Sequence, residues 1–222
     1  MPDHLTLAPQ QALMRLVSHI LSMPAAPEHR VAIGIAGGPG TGKSTLAGEM
    51  VTQINALRPG GAAYVPMDGF HMRHARLEEL GQTDYKGAPH TFEGAAFVDF
   101  LARLKRGGEA ISGPGYSRRI EDVIDDHFTV GEQVRYLIVE GNYLLLAEPP
   151  WAGIRPLLDY AVHIELPEAL VRERLMARHA EEGLFGEERN RAHIERTDLP
   201  NFRLVQAVRD RADVIVSLDT EK

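Results

Sequence analysis

Apolar positions recur along the chain with two alternating periods, which outline a succession of strands and helices. Leu5, Ala8, Ala12, Leu13, Leu16, Val17, Ile20 and Leu21 fall at helical spacing. They predict an amphipathic helix over 5–21, within an N-terminal segment 1–25, ended by Pro24 and Pro27. Val31 to Ala36 is an apolar run of strand length, and Leu46, Met50, Val51 and Ile54 return to the helical period. Ala62 to Met67 predicts a second strand, with Pro66 leaving its last rungs unpaired. Residues 71–80 suggest a short helix and Gly94 to Arg106 a longer one, parted by a loop that Gly81, Gly87 and Pro89 punctuate. In Gln133 to Gly141 the apolar run Tyr136, Leu137, Ile138 and Val139 does not alternate, which describes a strand buried on both faces. Leu158 to Leu166 predicts a further strand, Pro167 opens a helix over Glu168 to His179, and Asp213 to Leu218 closes the pattern after a helical stretch around Asn201 to Arg211.

With 222 residues, 44% of them hydrophobic, the chain is long enough for one ample α/β domain spanning 1–222 and too short for two full-sized ones. The absence of cysteine excludes disulfides and thiolate metal sites and fits a reducing compartment. Met1-Pro2-Asp3-His4 lacks the basic start of a signal peptide and no apolar run reaches membrane-spanning length, so the expected location is the cytoplasm, away from membranes. A net charge of -7 argues against sequence-independent nucleic-acid binding, which needs a basic face. Lys43, Lys86, Lys105 and Lys222 are the lysines, so arginine supplies nearly all of the planar, bidentate phosphate-recognising chemistry.

The chemistry concentrates where the first long apolar strand ends. Gly37-Gly38-Pro39-Gly40-Thr41-Gly42-Lys43-Ser44-Thr45 satisfies G-x-x-x-x-G-K-[ST], with a strand before it and a helix behind it. Small residues let backbone N–H groups converge on phosphate oxygens, and the helix N-terminus adds about half a positive charge. In that setting Gly38 to Thr45 would cradle the phosphates of ATP, Lys43 would reach the β- and γ-phosphates, and the Ser44 hydroxyl would bind Mg²⁺. Glu140, delivered by the strand 133–141 and followed by Gly141, stands where phosphate-loop proteins carry the acid that partners Mg²⁺. The other possibility is an ordinary strand-end glutamate.

Asp68, at the end of the second strand, lies on the edge of a parallel sheet where ligands sit, and Gly69 lets the chain turn away. Its carboxylate suits either a general base for an attacking hydroxyl or the N-cap of the helix 71–80. His71 and His74, three apart, suggest a solvated or acceptor-contacting helix face. Ser112 to Ile120 mixes turn, polar and aromatic residues and suits an acceptor pocket or a surface hairpin. On the helix after Pro167, Arg174 and Arg178 share a face. The glycine-hinged Glu181 to Glu188 follows them as a lid segment would, in a lid region of about 168–200.

GGPGTGKST, PMDGFH, KGAPHTFE, GPGYSRRIEDV, LIVEGNYLL and ELPEALVRERLMARH occur here in the order found in the phosphoribulokinase/uridine kinase/pantothenate kinase-like family, which the chain resembles over about residues 30–218. The resemblance is to the branch that includes proteins associated with fructose transport. It implies a P-loop NTPase fold, with a parallel five-stranded core, flanking helices and a small lid. It also implies a phosphotransferase that passes the γ-phosphoryl group of Mg-ATP to the hydroxyl of a small sugar, nucleoside or pantothenate-like acceptor. Carried over by position, Asp68 looks like the catalytic base, Lys43 and Arg178, joined by Arg174, look like the phosphate-facing cations, and Tyr116, Arg118, His71 and His90 look like acceptor residues. Relatives are commonly dimers, which implies a homodimer. Bacterial pantothenate kinases carry a histidine at the position of Arg118 and an aromatic at that of Leu175, and the histidine-rich segment of uridine kinases is missing. An N-K-x-D guanine-reading element is also missing, which disfavours a GTPase switch. The competing expectation is an ATP-binding regulatory module with slow ATPase activity.

Overall fold

A computed structural model describes residues 1–25, 30–182 and 186–219. Six parallel strands form the main sheet: β1 (Asp3–Leu7), β2 (Val31–Ala36), β3 (Ala62–Pro66), β6 (Tyr136–Gly141), β7 (Tyr160–Glu165) and β8 (Val214–Leu218), in the spatial order β1-β8-β7-β2-β6-β3. Between β3 and β6 in sequence, β4 (Ile111–Ser117) and β5 (Asp122–Val130) pair antiparallel as a separate hairpin. The helices are α1 (Pro9–Ser22), α2 (Lys43–Leu57), α3 (His74–Glu79), α4 (Gly94–Arg106), α5 (Glu168–Glu182), α6 (Glu187–His193) and α7 (Leu199–Gln206). No helix among the described residues is long and apolar enough to cross a membrane.

The expected α/β parallel architecture holds, with one strand more than the five anticipated. The addition is β1, which pairs with β8 along Asp3–Leu7. Leu5 therefore belongs to a strand, and the first helix starts at Pro9, whose fixed φ suits a helix's first turn. β3 is the other edge strand, where Pro66, opposite Glu140, is tolerated because an edge leaves one side of the ladder unpaired.

The central strand shows why the two faces of the sheet are covered differently. Val31, Ile33 and Ile35 point to a layer made by α1 and α2, packing with Leu13, Leu16, Ile20, Met50 and Ile54. On the other face β2 offers only Ala32, Gly34 and Ala36, so a bulkier layer closes down on it: Phe97 and Leu101 of α4, Tyr143 to Leu146 and Trp151. At Gly34 a Cβ would lie 2.5 Å from Leu158 Cδ1, so glycine leaves room for that leucine. A third cluster, Leu166, Val171, Leu175, Ile194, Leu199 and Phe202, ties α5 to the segment that includes α6 and α7.

One interior cation joins these layers. Arg30 is 1% exposed, and its guanidinium donates to the carbonyls of Leu104 (3.0 Å), Glu109 (2.9 Å), Gly131 (3.0 Å) and Val134 (3.3 Å). It thus fastens the start of β2 to the end of α4 and to the root of the hairpin, satisfying its own buried donors as it does so.

A second buried polar group is titratable. His163 of β7 is 0% exposed, and its Nε2–H donates to Gln206 Oε1 of α7 over 2.8 Å. Burial holds its imidazole below the usual histidine range, and the hydrogen bond to Gln206 opposes that shift. The unfolded chain therefore takes up a proton that the folded chain refuses, so this contribution is present above the ordinary histidine pKa of about 6.5 and is lost as pH falls below it. Thermal unfolding followed from pH 7.5 to 5.5 should show a steeper loss of stability in the wild type than in His163→Leu. Parallel curves for the two proteins would show that His163 does not contribute.

Candidate active site

The loop between β2 and α2 is built for close approach of backbone. Gly40 and Gly42 take φ of 77° and 89°, a region that side chains disfavour. A Cβ on Gly38 would sit 2.6 Å from Phe202 Cδ2, and one on Gly37 2.7 Å from Thr41 Oγ1. The Thr41 hydroxyl closes the loop by donating to the Gly38 carbonyl over 2.8 Å. α2 begins at Lys43 with no side chain capping it, so its first N–H groups remain available to an anion. Helix α5 leans on the same loop: a Cβ on Gly40 would be 3.1 Å from Leu175 Cγ and 3.3 Å from Val171 Cγ1, and one on Gly42 3.5 Å from Arg174 Nη1.

Strand order brings the acids to this loop. β6 lies between β2 and β3, with Glu140 opposite Ile35 on one side and Pro66 on the other. Glu140 is 2% exposed, with Oε1 3.4 Å from Lys43 Nζ, while the Tyr64 hydroxyl donates to Oε2 over 2.7 Å. Burial pushes the Glu140 carboxyl up, the Lys43 ammonium pulls it back toward ionisation, and Asp68 adds to the upward push. Burial and the neighbouring Glu140 carboxylate raise the Tyr64 phenol, which stays a donor, and the nearby Ser44 hydroxyl opposes that shift. Gly141 is required here, because a Cβ would lie 2.6 Å from Met67 Cβ where β3 runs out.

Asp68 stands in a 3-10 turn, Met67–Phe70, and is not a helix cap: α3 starts only at His74, with Arg73 in the capping position. The hairpin presses directly on this turn, since a Cβ on Gly69 would come within 2.0 Å of the Pro114 carbonyl oxygen. His71 packs between Phe92 (centroids 3.9 Å apart) and Tyr116 (4.6 Å), and its Nδ1–H donates to the Asp68 carbonyl over 2.8 Å. Burial lowers the His71 pKa, opposed by Asp68, so the imidazole is neutral with its proton on Nδ1. The Lys86 ammonium lies 5.2 Å above the Tyr116 ring and donates to the Glu121 carbonyl. Burial lowers its pKa as well.

Ser44, Asp68, Tyr116, Arg118 and Glu140 line one cleft of ≈ 630 Å³, with Lys43 against Glu140 at its inner end. Pro39 is buried behind the loop and Thr45 is exposed on the first turn of α2. Of the two arginines on α5, Arg174 reaches the loop, and Arg178 follows one turn later, half-buried. His90 is not brought to the cleft: it is exposed, with Nε2 3.0 Å from Gln82 Oε1. Gly183 to Phe185, the middle of the expected lid hinge, lie outside the described residues. Tyr64 and the β5 residues His127 and Thr129 also line the cleft, though nothing in their local sequence marks them.

The donor set fits the groups the loop suggests. Gly37 and Gly38 have no room for a Cβ and Gly40 and Gly42 take positive φ, so the loop offers bare backbone, as a bound phosphate chain requires. Ser44 and Glu140 offer hard oxygen donors to the same cleft, as Mg²⁺ prefers.

No family model matches the chain. A protein of Schizosaccharomyces pombe named "Putative uridine kinase C227.14" is 34% identical over 200 residues, 85% of this chain and 83% of that one. The pantothenate kinase of Lacticaseibacillus casei is 28% identical over 212 residues, 95% of this chain and 66% of that one. The crystal structure of a "putative fructose transport system kinase" from Silicibacter sp. TM1040 matches with a TM-score of 0.84 at 33% identity, over 93% of this chain and 98% of that one. With likeness of this degree running through most of both chains, and the loop, strand order and strand-end acid in place, the chain belongs to the phosphoribulokinase/uridine kinase/pantothenate kinase-like family of P-loop kinases, phosphotransferases whose acceptor is an alcohol group.

Proposed function

We propose that the chain moves the γ-phosphoryl group of Mg-ATP to a hydroxyl of a small metabolite. The observation that carries this reading is that Asp68, which does not cap α3, opens on the same cleft as Ser44 and Glu140. Gly38 to Thr45 would hold the triphosphate, and the Ser44 hydroxyl and the Glu140 carboxylate would hold Mg²⁺, which when bound offsets charge on the transferring phosphoryl. Asp68 accepts the proton of the acceptor hydroxyl, whose oxygen then forms a bond to phosphorus while the bond to the β-phosphate oxygen breaks. Lys43 and Arg174, with Arg178 behind it, neutralise the charge that spreads over the phosphoryl oxygens. Tyr116 and Arg118 form the acceptor wall, and His71 holds the Tyr116 ring and the Asp68 turn in register.

The acceptor class is a small alcohol such as a sugar, a nucleoside or a pantothenate-like compound, the range spanned by the relatives' names. Arg118, where bacterial pantothenate kinases carry histidine, favours an acceptor other than pantothenate. ADP release measured against a panel of sugars, sugar phosphates, nucleosides and vitamin-like alcohols would identify it.

Three substitutions probe the roles. Lys43→Ala should lower turnover at least about a hundredfold, the scale for losing one preorganised electrostatic contact, and lower the unfolding temperature because, among the described residues, Glu140 keeps only Tyr64 as a partner; near-normal turnover would remove Lys43 from the mechanism. Asp68→Asn keeps the shape but not the basic oxygen, so transfer should fall roughly a hundred- to ten-thousandfold with ATP binding nearly unchanged. Full transfer activity in that variant would remove Asp68 as the base, and ADP release indifferent to every acceptor would turn the reading toward a regulatory ATPase. Arg174→Ala should lower kcat about a hundredfold while calorimetry finds ATP affinity little altered, with Arg178→Ala affected less. A loss confined to ATP affinity would make Arg174 a ground-state clamp.

A further inference from the structure

Three ligand-bearing side chains converge outside the cleft, where α5 meets α6. His179 of α5, His193 at the end of α6 and Asp198 present ligand atoms that all lie within 4.8 Å of one another. His179 Nε2 is 3.0 Å from Asp198 Oδ2, and the two imidazoles stand edge to face at 75°, with centroids 5.6 Å apart. Asp198 is only 8% exposed.

Backbone geometry explains how His193 and Asp198 come together. Ile194–Asp198 is a π-helical turn, which follows α6 directly. Five residues apart on an α-helix, the two side chains would diverge by about 140°, given 3.6 residues per turn. A π-turn bonds i to i+5 and stacks such residues on one face, and single π-turns of this kind are rare and concentrate at functional sites. The local departure from α geometry therefore has a consequence: it puts a carboxylate beside an imidazole, facing a second imidazole from another helix.

We propose that His179, His193 and Asp198 form a binding site for a divalent transition cation, Zn²⁺ or its spectroscopic substitute Co²⁺, that joins α5 to the α6 segment. Two imidazole nitrogens and one carboxylate oxygen are the ligand types of such ions, whereas Mg²⁺ and Ca²⁺ take all-oxygen sets such as Ser44 and Glu140 could offer. Zn–N and Zn–O bonds of about 2.0–2.2 Å put neighbouring ligand atoms roughly 3.3 Å apart in a tetrahedron, so His179 and Asp198 already stand near that spacing. On binding, the ion replaces the proton between His179 and Asp198, which is released to solvent, and a water completes the coordination. The ligands sit on opposite sides of residues 183–185, and α5 carries Arg174 and Arg178, so occupancy would restrain the helix that leans on the phosphate loop. The site stands independently of the proposed phosphoryl transfer.

The test uses the full chain, stripped with chelator and dialysed, with Co²⁺ or Zn²⁺ as the probe and no nucleotide present. One Co²⁺ per chain should bind with visible d–d absorption, Zn²⁺ should displace it and raise the unfolding temperature by several degrees, and equal Mg²⁺ should do neither. His193→Ala and Asp198→Asn should weaken Co²⁺ binding about a hundredfold or more, beyond the usual effect of losing an outer-shell partner. Should either variant fail to fold, histidine-labelled NMR of the wild type decides: His179 and His193 should shift together up to one equivalent of Zn²⁺. Absence of saturable Co²⁺ binding, binding unchanged in a folded His193→Ala, or shifts confined to other histidines would each overturn the site.

Discussion

The site depends on keeping one carboxylate in the protein interior. Removing such a group from water costs several kcal/mol unless its lone pairs are matched. Glu140 is matched twice, by the Lys43 ammonium at 3.4 Å and by the Tyr64 hydroxyl at 2.7 Å. Each partner arrives on a different element, the start of α2 and the edge strand β3, and only the order β2-β6-β3 brings both to the end of β6. The same order carries the Asp68 turn to the cleft, because β3 leaves the sheet beside Glu140 and crosses over Gly141. Sheet topology, the phosphate loop and the acids are therefore one arrangement.

Where the information was local, the sequence carried it. β2, the glycine loop and α2 follow from an apolar run and a motif whose glycines have steric reasons, positive φ at Gly40 and Gly42 and contact with Phe202 at Gly38. Glu140 could be read because its strand is apolar up to the acid. β1 was hidden because Leu5 continues the helical spacing of α1, and only Pro9 marks the true start. β5, with DVIDDHFTV, has too many acids for clean alternation, and its pairing is set by β4.

Other features depended on contacts between distant segments. Tyr64 is an unremarkable strand residue until β3 pairs with β6 and its hydroxyl meets Glu140. Base and cap were equally good readings of Asp68 until α3 was seen to start beyond it, with Arg73 in the capping position. Arg174 and Arg178 share a helix face, and spacing cannot rank them. The contact of Val171 and Leu175 with Gly40 sets the tilt that sends Arg174 to the loop. His90 sits in a family motif, yet its 3-10 turn leaves it on Gln82 rather than in the cleft that Tyr116 and Arg118 line.

Arg30 has a mechanical consequence for the hairpin. Its buried guanidinium grips Gly131 and Val134, where β5 gives way to β6, together with the last turn of α4. The far end, around Glu121 and Asp125, is held by exposed or half-buried charges, Arg73 on Asp125 and Lys86 on the Glu121 carbonyl. The hairpin is thus a cantilever, rigid at its root and lightly tethered at its tip. Loosening Lys86 or Arg73 would let the tip bend, carrying Arg118 with it, while the root that Arg30 holds stays in place.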